Sequence, residues 1–170
     1  THDILGKIVS SKNAFPIRNK LEKEIRINIK SFLGKITQKY PMYSSKTVKG
    51  KPLFMYARGG EEVDIPERQI FIKKLELIKI REIDNKKLFK NIEKRIKKIK
   101  CDFRQREILR IYKKEFSSSD AEGKFFIANL KIRCGSGTYV RVIADSLGKK
   151  MGIPALAFSI KRTKIGEYVI

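Results

Sequence analysis

Carboxylates are scarce in this chain. Against 40 Lys and Arg there are only 18 Asp and Glu in 170 residues, a formal net charge of +22. A surface so short of negative charge attracts polyanions, of which nucleic acid is the commonest. A genome that loads lysine into every protein produces the same composition, and that reading stands beside the first. Histidine is rarer still. His2 is the only one, which excludes a typical Cys/His zinc site. Two cysteines, Cys101 and Cys134, are too few for a disulfide framework, so a reducing cytoplasm is expected. No apolar run approaches the roughly 18 residues of a membrane span. No signal-peptide pattern is present, and the first residue is Thr1 rather than Met, so a processed or truncated chain is expected. What is present suffices for a core: 41% of residues are hydrophobic, and the length fits one domain or a large part of one.

Periodicity divides the chain. Residues 1–10 read as a short extended start. A helix is predicted from about Pro16 to Leu33, with Ile17, Leu21, Ile25, Phe32 and Leu33 sharing a face and Gly34 ending it. Residues 35–66 lose clear periodicity. They interleave Tyr40, Tyr43 and Tyr56 with Lys46, Lys49 and Arg58, a mixture in which rings stack on bases and cations hold phosphates. A long surface loop with buried tyrosines would look the same. Residues 68–81 alternate brokenly, predicting a strand with a bulge near Lys73-Lys74.

Residues 84–115 change character. Leu88, Ile92, Ile96 and Ile99 recur at helical spacing, as do Ile108, Leu109 and Tyr112 further on, which predicts a basic amphipathic helical hairpin or bent helix. Its cationic face is either a solvated surface or an RNA contact. Ser117 to Gly123 is a loop. Lys124 to Cys134 alternates cleanly, with Phe126, Ala128, Leu130, Ile132 and Cys134 on one face. The two strands that flank 84–115 are expected to pair as an antiparallel hairpin with an expanded connection.

The chemistry concentrates after that strand, in Cys134 to Gly148. Two glycines lead into a helix whose expected buried stripe is Val140, Ile143, Ala144 and Leu147, ended by Gly148 or Gly152. Tyr139 and Arg141 fall at the strand-to-helix junction. A helix start carries free N–H groups and partial positive charge, and an arginine there adds a planar donor fork for carboxylate or phosphate. A Gly-containing turn with an incidental surface arginine fits the same residues. Cys134 reads as a small core residue rather than a nucleophile. A last strand is expected within Ser159 to Ile170.

Several motifs in order resemble the TruB-type tRNA pseudouridine synthases. They are Thr1-x-Asp3-x-x-Gly6; Gly34-x-Ile36-x-Gln38; Pro41-Met42-Tyr43-Ser44-Ser45-Lys46 with Gly50; Tyr56-Ala57-Arg58-x-Gly60; Gly137-Thr138-Tyr139-Val140-Arg141; Leu147-Gly148; and Arg162-Thr163-x-x-Gly166. The resemblance spans nearly the whole chain apart from residues 83–123. It implies an α+β fold, a mixed, mainly antiparallel sheet backed by helices, incomplete at its N-terminal side. It also implies one partial catalytic domain over 1–170, with a thumb-like RNA-binding region at 35–66 and a basic helical insertion at 83–123.

The implied activity is isomerisation of the T-loop uridine of tRNA, position 55, to pseudouridine. The implied partner is the T arm of tRNA, with no cofactor, no metal, no membrane and a monomeric cytoplasmic protein. Arg141 matches the arginine that pairs with the nucleophilic aspartate. Tyr139 and Ile160 match the uridine pocket, where Ile160 replaces a usual leucine. Tyr43, Lys46, Lys49 and Arg58 match the thumb that grips RNA. The family's aspartate sits in a Gly-x-Leu-Asp-Pro motif, which these 170 residues do not contain. Asp3 belongs to a different element. The chain is therefore expected to be the second part of a catalytic domain and inactive alone. Alternatives are a non-catalytic RNA-binding or RNA-chaperone module on the same scaffold, and a basic ribosome-associated protein.

Overall fold

The computed structural model describes residues 18–100, 104–117 and 124–170. Helix α1 (Arg18–Asn28) continues into one 3-10 turn at Ile29–Phe32. Leu21, Ile25, Ile29 and Phe32 are buried at helical spacing. Leu33, expected on that face, is instead 45% exposed, because it leaves the turn in extended backbone and carries the chain into β1 (Gly34–Lys39). Pro16 and Ile17, the Thr1-x-Asp3-x-x-Gly6 motif and Cys101 lie outside the described residues.

The frame is a three-stranded sheet in the order β1-β4-β5, built from β1, β4 (Glu67–Asp84) and β5 (Lys124–Cys134). Every pairing among the described residues is antiparallel, so the parallel part of the expected mixed sheet is not seen there. The β4–β5 pair is the predicted hairpin with an expanded connection. Its register shifts between Ile72 and Lys74, where the bulge is predicted, and again between Leu77 and Lys79. Each extra residue restores the inward facing of the apolar series that follows, so Ile72, Leu75, Leu77 and Ile80 are all buried. They pack under α1 and α5 (Val140–Met151), with Phe126, Ala128, Leu130, Ile132 and Cys134 of β5 alongside. Cys134 thus takes the core role expected. An arginine at the start of α1 ties it to the sheet, Arg18 Nη2 donating to the Ile80 carbonyl at 3.0 Å.

The stripe of α5 differs from expectation. Val142, Ile143, Leu147 and Gly148 are buried, whereas Val140 and Ala144 are only partly so. Gly148 explains the shift. A Cβ there would lie 2.5 Å from the Ile153 carbonyl and 2.6 Å from Ala155 Cβ, so the following segment packs directly on the helix backbone. Gly152, not Gly148, ends the helix, with φ 66°.

Residues 35–66 are not the aperiodic loop that composition suggests. Strand β1 occupies their start. Next come a two-residue ladder, β2 (Thr47–Val48) with β3 (Lys51–Pro52), and a short helix α2 (Leu53–Gly59). Leu53 and Tyr56 are its buried anchors, and Tyr56 Oη donates to the Val48 carbonyl at 3.0 Å. The last strand expected in 159–170 is reduced to a two-residue hairpin, β6 (Lys164–Ile165) with β7 (Tyr168–Val169), and every side chain from Ser159 on is exposed.

The basic segment forms two helices, α3 (Asn85–Ile96) and α4 (Gln105–Ser117). Leu88, Ile92 and Ile96 meet Ile108 and Tyr112 in a second core. Phe116 bridges it to β5, with ring centroids 5.3 Å from Phe125 and 5.8 Å from Tyr112. Asp84 starts α3 as its N-cap, accepting from the Lys87 N–H at 2.8 Å. That bond is the main reason its carboxyl titrates below the ordinary value of 3.8.

Candidate functional site

Two segments a hundred residues apart meet at one end of the β4–β5 hairpin. The contact is made by an amide. Gln38, on β1, is 5% exposed. Its Nε2 donates to the Tyr139 carbonyl at 3.2 Å and its Oε1 accepts from the Tyr139 N–H at 2.9 Å. One side chain thereby holds both polar groups of a backbone unit, as a neighbouring strand would. Tyr139 is the N-cap of α5, so this clamp sets where the helix begins.

Around the clamp, rings and cations alternate. Tyr40 and Tyr139 meet edge to face with centroids 5.7 Å apart. Lys46 Nζ lies 5.5 Å and the Arg68 guanidinium 6.0 Å from the Tyr40 ring centre. Arg68 faces Gln38 in the β1–β4 register and lies under the Gly135–Thr138 turn. Gly137 is favoured there by its φ of 75°; a Cβ would also meet the Arg68 guanidinium, the movable end of that side chain. The turn itself is tied by Gly135 N–H to the Phe71 carbonyl at 2.8 Å and by Thr138 Oγ1 to the Gly135 carbonyl at 2.9 Å.

Arg141, in the first turn of α5, reaches across to the other segment. Its Nη2 donates to the Tyr43 carbonyl at 2.6 Å, and its guanidinium lies 5.8 Å from the Tyr139 ring centre. Among the described residues Lys46, Arg68 and Arg141 form no ion pair with a carboxylate. Ser44 Oγ and Arg68 Nε are buried without a hydrogen-bond partner. Three cations beside a helix N-terminus, with spare buried donors, form a site whose electrostatics favour an anion. The tyrosine faces offer stacking to a flat, polar ring.

Of the residues expected from sequence, Tyr139, Arg141, Tyr43 and Lys46 are therefore brought together. Lys49 and Arg58 are exposed elsewhere on the 40–60 lobe. Lys49 stands at the β2–β3 turn with φ 47°, and the Arg58 guanidinium lies 5.3 Å from the Phe54 ring centre. Ile160 is 53% exposed beyond Phe158 and is not among the clustered residues. Tyr40, one of the rings of the 35–66 mixture, and Gln38 and Ser44, known from the sequence only as motif members, complete the cluster with Arg68, to which the sequence assigns no part. Gln38 did leave a signal, as the polar member of the alternating series Ile36, Gln38, Tyr40 on a strand.

The profile described as TruB family pseudouridylate synthase (N terminal domain) matches residues 1–96, more than half of the chain. The chain belongs to this family. The match includes Gln38, Tyr40, Tyr43, Lys46 and Arg68 of the cluster. Named relatives align over the remainder as well. The chain is 32% identical over 171 residues to a tRNA pseudouridine synthase B of Ligilactobacillus salivarius, covering 100% of this chain and 44% of that protein. It is 30% identical over 170 residues to one of Oceanobacillus iheyensis, covering 99% of this chain and 41% of that protein. A Bacillus cereus protein of the same name is 28% identical over 170 residues, with 43% of its length covered. The chain thus spans less than half the length of these relatives. No helix among the described residues is long and apolar enough to cross a membrane.

Proposed function

We infer that the protein containing this chain isomerises the T-loop uridine of tRNA, position 55, to pseudouridine, and that the Tyr139–Arg141 cluster is the supporting wall of its active site. The observation that carries the reading is the unpaired guanidinium of Arg141. It is held by the Tyr43 carbonyl beside two tyrosine rings and has no carboxylate among the described residues. An arginine so placed suits an aspartate nucleophile delivered from elsewhere in the protein. Pairing keeps such a carboxylate ionised and fixes its orientation, and the planar fork does this better than an ammonium would.

Tyr139 forms one wall of the pocket that takes the target uracil. The base must leave the RNA stack to be turned over, since rotation within a stack is sterically barred. Lys46, Lys49 and Arg58, with the exposed Tyr43 ring, hold T-arm phosphates and bases on the 40–60 lobe. Ile160 completes the apolar side of the pocket when RNA is bound. No cofactor is needed, because the reaction breaks one glycosidic bond and forms another to carbon 5.

The test follows from that chemistry. Carbon 5 of uracil loses its hydrogen when it bonds to the ribose. Full-length protein incubated with tRNA carrying tritium at uracil carbon 5 is expected to release one equivalent of tritium, from position 55. Tight tRNA binding without any release would instead identify a non-catalytic RNA-binding module.

A further inference from the structure

We propose that a row of lysines on the outer face of α3 and the turn that follows it is a second RNA-phosphate contact, remote from the Tyr139–Arg141 cluster, that grips a part of folded tRNA beyond the T arm. The proposal rests on tRNA being the substrate, as inferred above.

Lys86, Lys90, Lys94 and Lys98 recur every four residues, and all are exposed. Lys86, Lys90 and Lys94 lie on α3, where at about 1.5 Å per residue successive members rise about 6 Å and together span roughly 12 Å; Lys98 follows in the turn after Ile96. The buried residues Leu88, Ile92 and Ile96 are offset by two positions, about 200° around the axis, so the row lies opposite the seam with α4. Like charges four residues apart oppose helix formation. The nearby carboxylates do not relieve them: Asp84 is held by Lys87 at 3.1 Å, and Glu93, the one acid in α3, by Lys97 at 2.8 Å. Among the described residues the four lysines of the row take part in no ion pair.

The row is also firmly mounted. Arg95 Nη1 donates to the Phe158 carbonyl at 2.5 Å, and its guanidinium lies 4.2 Å from that ring centre. Ile83, Phe125 and Leu156 pack against the α3–α4 core. This end of the molecule is far from the cluster. The β4–β5 ladder runs from Ile72 opposite Cys134 to Asp84 opposite Lys124, which at about 3.3 Å per residue is roughly 35–40 Å. A single stem-loop seated at the cluster cannot be expected to reach the row, whereas a whole tRNA offers a second arm. A membrane surface fits less well. A helix lying in a bilayer interface must offer it an apolar face, and that of α3 is used up in the seam. Phosphates need only the cations.

The experiment compares full-length wild type with the quadruple variant K86Q/K90Q/K94Q/K98Q, in which glutamine removes the charge and keeps helix propensity. Affinity for an unmodified tRNA transcript and for the isolated T-arm stem-loop is measured across a salt series, together with conversion of each to pseudouridine. For whole tRNA the slope of log affinity against log salt is expected to fall by about 2–4, with at least roughly tenfold weaker binding at low salt. Stem-loop affinity and conversion are expected to stay at wild-type values, which also shows that the variant is folded. An unchanged tRNA slope, or equal losses on both RNAs, overturns the proposal. So does loss of binding to phosphatidylserine vesicles with tRNA binding intact. Should wild type convert neither RNA, the functional reading fails, while the tRNA slope of the variant still decides whether the row holds RNA.

Discussion

Replacing Gln38 by leucine tests whether the clamp on Tyr139 organises the site. Leucine is close in volume and keeps the position filled, so the change removes polarity without opening a large cavity. Two hydrogen bonds are lost, at 2.9 and 3.2 Å. The Tyr139 carbonyl retains the Val142 N–H at 2.9 Å, but the Tyr139 N–H keeps no protein acceptor. Net hydrogen bonds are worth about 0.5–1.5 kcal/mol each, and an orphaned buried donor costs about 1–3 kcal/mol. A loss of about 2–3 kcal/mol is therefore expected in urea unfolding of the full-length protein. Amide exchange supplies the local readout: the Tyr139 N–H should be protected in wild type and exchange much faster in the variant. Because Tyr139 and Arg141 are placed by that bond, kcat should fall roughly 10- to 100-fold with a smaller change in KM. A stability loss below about 0.5 kcal/mol with unchanged Tyr139 exchange would refute the clamp.

Other outcomes follow from the same contacts. Asp84→Asn keeps a capping side chain but removes the carboxylate, which the hydrogen bond from the Lys87 N–H holds below its ordinary 3.8. A depressed pKa stabilises the fold above the unfolded value, and that contribution disappears as pH falls through the folded value. The difference in thermal midpoint between wild type and variant should therefore be present at pH 6 and shrink at pH 3. Gly148→Ala drives a Cβ against the Ile153 carbonyl and Ala155 and should cost about 1–3 kcal/mol in urea unfolding. Residues 1–170 as an isolated polypeptide should release no tritium from labelled tRNA, since they contain no Gly-x-Leu-Asp-Pro motif.

Long periodic elements were legible in the sequence because their signal is summed over many residues. The β4–β5 pair, the bulge near Lys73 and the α3–α4 hairpin all follow from apolar spacing. Strand β1 was hidden because its buried residue, Gln38, is polar and its partner is a backbone unit 101 positions away. Helix α2 has seven residues, too few to show a period. The stripe of α5 was misplaced because burial of Gly148 depends on how the chain returns at Ile153, which no local pattern records. For the site, Tyr139 and Arg141 were legible from their place at a helix start. Arg68 was not, since its role comes from the Gly135–Thr138 turn folding over it.

The central claim is that Arg141 serves the chemistry rather than RNA binding. The most direct measurement is the single-turnover rate of pseudouridine formation on Arg141→Lys in the full-length protein, with the tRNA dissociation constant determined on the same sample. Lysine keeps the charge but not the planar fork, so the rate should fall about 100-fold or more while affinity stays within about threefold. A rate close to wild type would contradict the account.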